Sequence, residues 1–189
     1  MFKVDYSNVK ESSFGPLPTG NYECVIQSTS EKTTPNGKEA FNVKLVVRND
    51  LSKVQGLEET NGKYANRILF DDHWKRDIDG RYIYHMENLM YVLKAARVPE
   101  GTEISSIDDL HEILRGKPVK VYTKVELNDY NNEEENTIAP WGYSESDYPN
   151  VQHQFKKDEN KGQSTENPFE GTDDNLNATT NIDNSDLPF

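Results

Sequence analysis

The segment Glu39–Asn49 (EAFNVKLVVRN) alternates between apolar and polar residues, and it constrains the fold more than any other stretch of the chain. Successive side chains of a strand point to opposite faces, so alternation of this kind indicates a β-strand that is half buried. The apolar side chains that share one face are Phe41, Val43, Leu45 and Val47. We therefore expect this face to lie in the core and the opposite face, with Lys44 and Arg48, to lie at the surface.

Four other segments have the composition of strands, and two have the periodicity of helices. The strands are predicted at Asn21–Ser28, Asn66–Trp74, Lys117–Leu127 and Asn136–Trp141. In the second of these, Ile68, Phe70 and Trp74 fall on one side, and Arg67 and Leu69 on the other. A helix is predicted over Tyr82–Arg97, and a shorter one is predicted to begin at a Ser106 cap and to stop at Gly116.

The predicted order is three strands, a helical section and two strands. This order fits a generic α+β domain, in which two helices pack beside five antiparallel strands. It also fits a five-stranded Greek-key barrel, the OB-fold, which places its helix between strands three and four. We favour the second reading: a mainly β protein with α+β content, whose OB-fold-like barrel occupies residues 1–150.

The composition changes at Val151, where apolar residues become rare and Asn, Asp, Ser and Thr dominate. Residues 151–189 carry 3 basic and 8 acidic side chains, whereas residues 1–150 carry 18 and 25, and the whole chain has a formal charge of −12. A polar, charged segment of this kind cannot bury enough apolar surface to fold. The sequence therefore predicts a disordered acidic tail over residues 151–189.

Two absences narrow the class of protein. Cys24 is the one cysteine, so the sequence cannot build a disulfide framework or a cysteine-based zinc site, and we expect Cys24 to be a small buried hydrophobe. The N-terminus lacks the apolar core of a signal peptide, and no apolar run approaches 18 residues. We therefore expect a cytoplasmic protein without a membrane partner.

Catalytic chemistry has one local candidate, the run Asp71-Asp72-His73. Asp71 and His73 would share a face of a strand, but two ligands on one strand are too few for a metal ion without further donors. The sequence shows no phosphate-binding glycine loop and no nucleophile motif. We predict that the protein is not an enzyme and needs neither a metal ion nor a cofactor, and a metal-dependent nuclease at Asp71 and His73 remains an alternative.

Cations and aromatic rings recur on or beside the polar faces of the predicted strands. A groove that binds single-stranded nucleic acid combines moderate positive charge with rings on which bases stack. The candidate DNA-binding residues are Lys44, Arg48, Tyr64, Arg67, Trp74, Lys75, Arg76, Lys120, Tyr122 and Lys124. Any antiparallel sheet also exposes Lys and Tyr to water, so the pattern fits an ordinary surface as well.

The last residues, Asp183-Asn184-Ser185-Asp186-Leu187-Pro188-Phe189, place an aromatic side chain in a segment that has nothing to pack it against. An aromatic plug beside negative charge is a ligand that a basic-rimmed pocket of another protein can capture. We therefore predict a partner-docking role for Asp183, Asp186, Leu187, Pro188 and Phe189.

These residues also carry a resemblance. The end of the chain resembles the acidic tip of bacterial single-stranded DNA-binding proteins, which docks replication, recombination and repair proteins. The body is similar to a family of phage proteins now regarded as single-stranded DNA-binding proteins. The residues that carry the second likeness are Leu17-Pro18-Thr19-Gly20-Asn21-Tyr22-Glu23, Phe41-Asn42-Val43-Lys44-Leu45 and Gly62-Lys63-Tyr64-Ala65-Asn66-Arg67-Ile68, followed by Asp71 and Trp74. Asn66 stands where a glycine is commoner in that family.

The resemblance implies a protein that binds single-stranded DNA without strong sequence preference during phage DNA replication and recombination, in the cytoplasm of a bacterial host. Its tip would recruit partner proteins, and self-association into a homo-oligomer stays open. The net charge of −12 supports an alternative, an acidic interaction protein that mimics DNA and inhibits a nucleic-acid enzyme.

Overall fold

Seven strands form an open antiparallel sheet in the computed structural model, which describes residues 15–155. Along the sheet the order is β4-β3-β2-β1-β5-β6, and the short β7 also pairs with β5. The strands are β1 (Gly20–Thr33), β2 (Glu39–Val47), β3 (Ile68–Ile78), β4 (Arg81–Tyr84), β5 (Pro118–Leu127), β6 (Glu134–Thr137) and β7 (Tyr143–Glu145). The protein is thus mainly β, with two short helices.

The central strand is β1, which pairs with β2 on one side and with β5 on the other. Cys24 lies opposite Val47 of β2 and Val119 of β5, and all three are fully buried. The register shifts by one residue between Ile26 and Ser28, which is a β-bulge and changes the face to which the following residues point. The expected burial of Cys24 is confirmed.

The predicted alternation of β2 is confirmed on its core side. The four apolar side chains of that face have no exposed surface, and they pack in one cluster with residues of β1, β5 and both helices: Phe41, Val43, Leu45 and Val47. Burying a side chain of this kind stabilises the fold by about 1.5–3 kcal/mol. We call the side of the sheet that faces this cluster the inner face and the opposite side the outer face.

Helix α1 spans Met86–Ala95 and helix α2 spans Ile107–Leu114. The predicted cap of α2 is confirmed, because Ser106 Oγ accepts a hydrogen bond from Asp109 N at 3.1 Å, and Asp109 Oδ2 accepts one from Ser106 N at 3.0 Å. The predicted start of the first helix at Tyr82 is wrong. Residues Arg81–Tyr84 pair with the end of β3 instead, after a tight turn in which Gly80 N donates to Asp77 Oδ1 at 2.8 Å.

The expected core stripe of the first helix is also only half right. Leu89, Leu93 and Ala96 are buried, but Met86 and Met90 are each 52% exposed. Val92 is fully buried in their place, so the buried face of α1 is rotated relative to the predicted stripe.

Residues 151–155 lie against the loop that follows β2, although the sequence placed them in the tail. Gln152 N donates to Asp50 Oδ2 at 2.9 Å, and Asn49 N donates to His153 Nδ1 at 3.1 Å. The folded part therefore extends past the predicted boundary at residue 150. The rest of the predicted tail, residues 156–189, lies outside the described residues. No helix within residues 15–155 is long and apolar enough to cross a membrane.

Candidate functional site

The outer face of β3 carries large apolar side chains that water can reach. Ile68 is 45% exposed and Phe70 is 58% exposed, whereas Leu69 between them is 3% exposed and packs in the core. By strand alternation Asp72 and Trp74 lie on the same outer face as Phe70. An exposed aromatic ring with apolar neighbours on a sheet is available to bind a flat ligand.

The free edge of β3 borders a cleft. Over Ile68–Trp74, β3 pairs only with β2, because β4 joins it further along, at Lys75–Ile78. Across the cleft lies β6, which pairs only with β5. The residues that line this β3–β6 cleft, whose volume is about 490 Å³, are Ile68, Leu69, Phe70, Asp71, Asp72, Trp74, Glu135, Asn136, Thr137 and Ile138. This volume is within the usual range of ligand sites, about 300–1,000 Å³.

Each side of the cleft, which we call its β3 bank or its β6 bank, has one lysine on the neighbouring strand. Lys44 of β2 lies opposite Phe70 in the β2–β3 register, and Lys124 of β5 lies opposite Thr137 in the β5–β6 register. All four side chains are on the outer face by strand alternation. Neither lysine forms an ion pair with another residue in the range 15–155. The outer face therefore presents, in one row, a cation, an aromatic ring, the cleft, a hydroxyl and a second cation.

At the far end of β3 a third cation lies beside an aromatic ring. Lys32 Nζ is 5.3 Å from the centre of the Trp74 ring, and it also pairs with Asp72. Asp72 accepts a further hydrogen bond from Asn42 Nδ2 at 2.7 Å. Arg76, exposed and next but one to Trp74, continues the outer face toward β4.

On β5 the predicted site residues meet different environments. Tyr122 is 39% exposed on the outer face, as is expected of a ring that could stack on a base. Lys120 is on the same face, but its Nζ binds Asp147 Oδ2 at 2.9 Å. Lys44, Trp74, Arg76, Tyr122 and Lys124 are thus the predicted residues that the fold leaves on the outer face with exposed surface and no anionic partner among the described residues.

Arg48 is not part of this surface, and the expectation that it lies at the surface is wrong. The residue is fully buried. Its guanidinium donates to Asp50 Oδ2 at 2.6 Å, to the Tyr148 carbonyl at 2.5 Å and to the Asn150 carbonyl at 2.7 Å. The side chain faces away from the core cluster as predicted, but residues 146–150 cover it and leave none of it exposed on the outer face.

Three more of the predicted site residues already contact other residues of the protein. Tyr64 packs on the core, with its ring 6.1 Å from that of Tyr22 in an edge-to-face arrangement. Arg67 Nη2 donates to the Gly15 carbonyl at 2.6 Å. Lys75 Nζ binds Glu39 Oε2 at 2.5 Å, and this hydrogen bond raises the pKa of Lys75. These contacts position the start and the end of β3, and they leave less of each side chain for a ligand.

Asp71 and His73 lie on the inner face and bind neighbours there. Tyr143 Oη donates to Asp71 Oδ2 at 2.7 Å, and His73 Nε2 lies 3.1 Å from the same oxygen. Burial, together with the charge and the hydrogen bond of Asp71, raises the pKa of Tyr143 well above its usual value. Among residues 15–155 no group of three or more His, Cys, Asp or Glu side chains is arranged to hold a metal ion. Asp71 serves as a hydrogen-bond acceptor that ties β3 to β7.

Sequence reasoning missed Phe70 and Lys32 as site residues. Both sides of β3 are apolar in sequence, with Ile68 and Phe70 on one and Leu69 on the other, so alternation alone does not tell which side is buried. Lys32 follows the bulge in β1, which returns it to the outer face. The predicted docking residues Asp183, Asp186, Leu187, Pro188 and Phe189 lie outside the described part of the chain.

Asn66 accounts for the one departure from the motif that precedes β3. Its backbone has φ of 67°, in the left-handed region that favours glycine and that asparagine tolerates better than most residues. Its side-chain oxygen accepts a hydrogen bond from Asn49 Nδ2 at 2.8 Å. Asparagine thus supplies both the backbone conformation for which glycine is common and a link to the loop that follows β2.

Comparison with known proteins gives a family for this chain. No curated protein matches the sequence. The profile of one family, described as "Protein of unknown function (DUF669)", matches residues 2–164, which include the whole sheet and both helices. The chain belongs to the DUF669 family.

Proposed function

We propose that the protein binds single-stranded DNA on the outer face of the sheet, across the β3–β6 cleft. The observation that carries the proposal is the row formed by Lys44, Phe70, the cleft and Lys124. Bases stack on exposed rings such as Phe70, with about 1–3 kcal/mol per base, while cations on either side neutralise phosphates. Stacking accepts every base, so we expect binding to many sequences.

The order of the strands supports an OB-fold-like barrel as the framework. β1, β2 and β3 form a meander, two helices follow, and β5 and β6 return to the other side of β1. That is the order of the five-stranded Greek-key barrel, in which the third and fifth strands close the structure and the region around strands two and three binds oligonucleotides. In this proposal β3 and β6 are those two strands, and β4 and β7 are additions.

The charge of the domain sets the expected strength of binding. Residues 1–150 carry a net charge of −7, so long-range attraction does not assist the encounter with DNA. Counterion release depends on the few cations at the site, which are Lys44, Lys124, Lys32 and Arg76. We expect moderate affinity that falls as salt rises, with a slope of log K against log salt concentration no steeper than about −2.8 for four phosphate contacts.

The segment Asp183–Phe189 supplies the second half of the proposal, the recruitment of replication, recombination or repair proteins. It combines acidic side chains with Leu187, Pro188 and Phe189, a combination that suits a pocket with a basic rim. Removal of Ser185–Phe189 should leave DNA affinity unchanged or slightly higher, because the acidic segment competes for the cations of the interface. The same truncation should abolish capture of partner proteins. Loss of DNA binding instead would contradict the assignment of a docking role.

A titration with oligo-dT at two salt concentrations tests the first half. We expect quenching of tryptophan fluorescence, because Trp74 lines the cleft, and a gel shift at micromolar protein. Phe70→Ala is the site variant, and Tyr91→Ala, which removes a 44% exposed ring on α1, is its matched control. Absence of both quenching and a gel shift with the unmodified protein would rule out this function.

A second candidate is an acidic protein that mimics DNA. The observation that favours it is the hairpin between β5 and β6, where three consecutive acidic side chains, Glu133, Glu134 and Glu135, are all exposed. A row of carboxylates can imitate a phosphate backbone to an enzyme with a basic channel. Binding to a nuclease or helicase, combined with no binding to DNA, would favour this candidate over the first.

A further inference from the structure

The two banks of the β3–β6 cleft differ in chemistry. The β3 bank presents apolar surface, from Ile68 and Phe70, together with the Asp72 carboxylate on the outer face. The β6 bank presents Glu135 and Thr137. The hydroxyl of Thr137 donates to Glu126 Oε2 at 2.8 Å, so its remaining capacity is that of an acceptor. Apart from the indole N–H of Trp74, the polar side chains of the outer face at this cleft therefore accept hydrogen bonds and donate none.

The Glu135 carboxylate is free to accept hydrogen bonds from a ligand. It is exposed, and it forms neither an ion pair nor a side-chain hydrogen bond within residues 15–155. In the β5–β6 register it lies opposite Glu126, a like-charge pair that a bound hydrogen-bond donor would relieve. Asp72, on the other bank, is already bound to Lys32 and Asn42.

These features select the part of a nucleotide that can enter the cleft. The carboxylates of Asp72 and Glu135 repel a phosphate. The sugar-phosphate backbone of the DNA must therefore stay near Lys44 and Lys124, outside the cleft. A flat ring can enter beside Phe70. The ring is favoured when its edge carries hydrogen-bond donors, because the carboxylates of Asp72 and Glu135 at the cleft are acceptors.

We propose that the β3–β6 cleft is a base-reading site that selects guanine through the Glu135 carboxylate. This inference rests on the proposed binding of single-stranded DNA and goes beyond it, since stacking alone gives no preference among bases. The N1–H and the N2 amino group of guanine are adjacent donors, and they match the two oxygens of one carboxylate. Thymine offers a single N–H between two carbonyl oxygens, and both of those oxygens would face the negative charge.

The test compares oligonucleotides that differ in one base. A dT oligomer, the same oligomer with one central dG, and the same oligomer with inosine in that place compete for the full-length protein in fluorescence anisotropy. We expect the dG oligomer to bind at least about 5-fold more tightly than oligo-dT, which is the lower end of discrimination by one bidentate contact. Inosine lacks the N2 amino group, and its oligomer should lose most of this advantage.

Glu135→Gln should bring the dG and dT affinities together. Glu134→Gln is the matched control, because it removes the same charge from the adjacent exposed position on β6, which points to the other face of the strand. In that control the preference for dG should persist. Equal affinity for all three oligomers, or an unchanged preference in Glu135→Gln, would overturn the assignment of guanine while leaving DNA binding itself intact. Failure of every oligomer to bind would overturn both proposals.

Discussion

Arg48 and Asp50, which directly follow β2, are joined inside the protein by two hydrogen bonds between the guanidinium and the carboxylate. The distances are 3.1 Å from Nε to Oδ1 and 2.6 Å from Nη2 to Oδ2, and the guanidinium is fully buried. Burial raises the pKa of Asp50, but the hydrogen bonds, above all that with Arg48, lower it more, so the net shift is downward. The pair also holds residues 148–150 through their carbonyl groups.

Replacement of Arg48 should therefore lower the free energy of unfolding. Arg48→Met removes the guanidinium from the Asp50 carboxylate and from two carbonyl groups, and breaking a buried pair in this way costs about 3–5 kcal/mol. Urea unfolding followed by circular dichroism measures the change. Lys120→Met is the control, because its pair with Asp147 is half exposed and should contribute at most about 1 kcal/mol. Equal effects of the two substitutions would contradict a structural role for Arg48.

Phe70→Ala should weaken binding of oligo-dT by roughly 5- to 150-fold, the equivalent of one stacked base. The free energy of unfolding should change little, because more than half of the Phe70 side chain is already exposed. Isothermal titration with dT oligomers and a parallel thermal melt separate the two effects. If affinity fell only in proportion to stability, Phe70 would be a packing residue and not a stacking platform.

Lys44→Gln and Lys124→Gln should each lower the salt dependence of binding. A lysine that neutralises one phosphate of a single strand contributes about 0.7 to the slope of log K against log salt concentration. Lys75→Gln is the matched control, since Lys75 is committed to Glu39 and should leave the slope unchanged. Anisotropy titrations at four salt concentrations give the slopes. Slopes that do not change in either site variant would place the phosphates elsewhere.

His153 should make the attachment of residues 151–155 sensitive to pH. Its Nδ1 accepts a hydrogen bond from Asn49 N, and burial lowers its pKa below the ordinary 6.5. Because the folded state binds this proton less readily than the unfolded state, stability is complete above about pH 6.5 and is lost as the pH falls toward the folded-state pKa. Protection of this segment against hydrogen exchange, measured relative to the intrinsic exchange rate at each pH, should therefore decrease from pH 7.5 to pH 5.5.

His153→Gln keeps an acceptor for Asn49 N but does not titrate, so the protection of the segment in this variant should depend less on pH. An identical pH profile in the variant and in the unmodified protein would assign the effect to another group.

The strands and the core of the sheet were predictable because alternation reports burial directly when one face is polar. β2 shows this, with Phe41, Val43, Leu45 and Val47 buried as expected. Its other face shows the limit, since Arg48 is on the predicted side and is nevertheless buried under residues 146–150. The covering segment is about 100 residues away in sequence, and no local pattern encodes such a contact.

The candidate site on the outer face was only partly predictable from the sequence, for a related reason. In β3 the residues of both faces are apolar, so the sequence could not show that Phe70 faces water and Leu69 the core. The start of the helix was misplaced because Tyr82 and Ile83 fit a helical stripe as well as they fit β4. The pairing of β4 with β3 after the Asp79-Gly80 turn decided between the two.

The unpaired edges of β3 and β6 also bear on the behaviour of the protein in solution. A strand edge with free N–H and C=O groups can template pairing with another chain, and charged side chains on the edge oppose this. β6 carries Glu134 and Glu135 there, so two copies that approached edge to edge would bring four carboxylates together. The acidic side chains of β6 therefore oppose edge-to-edge association of two copies of the protein.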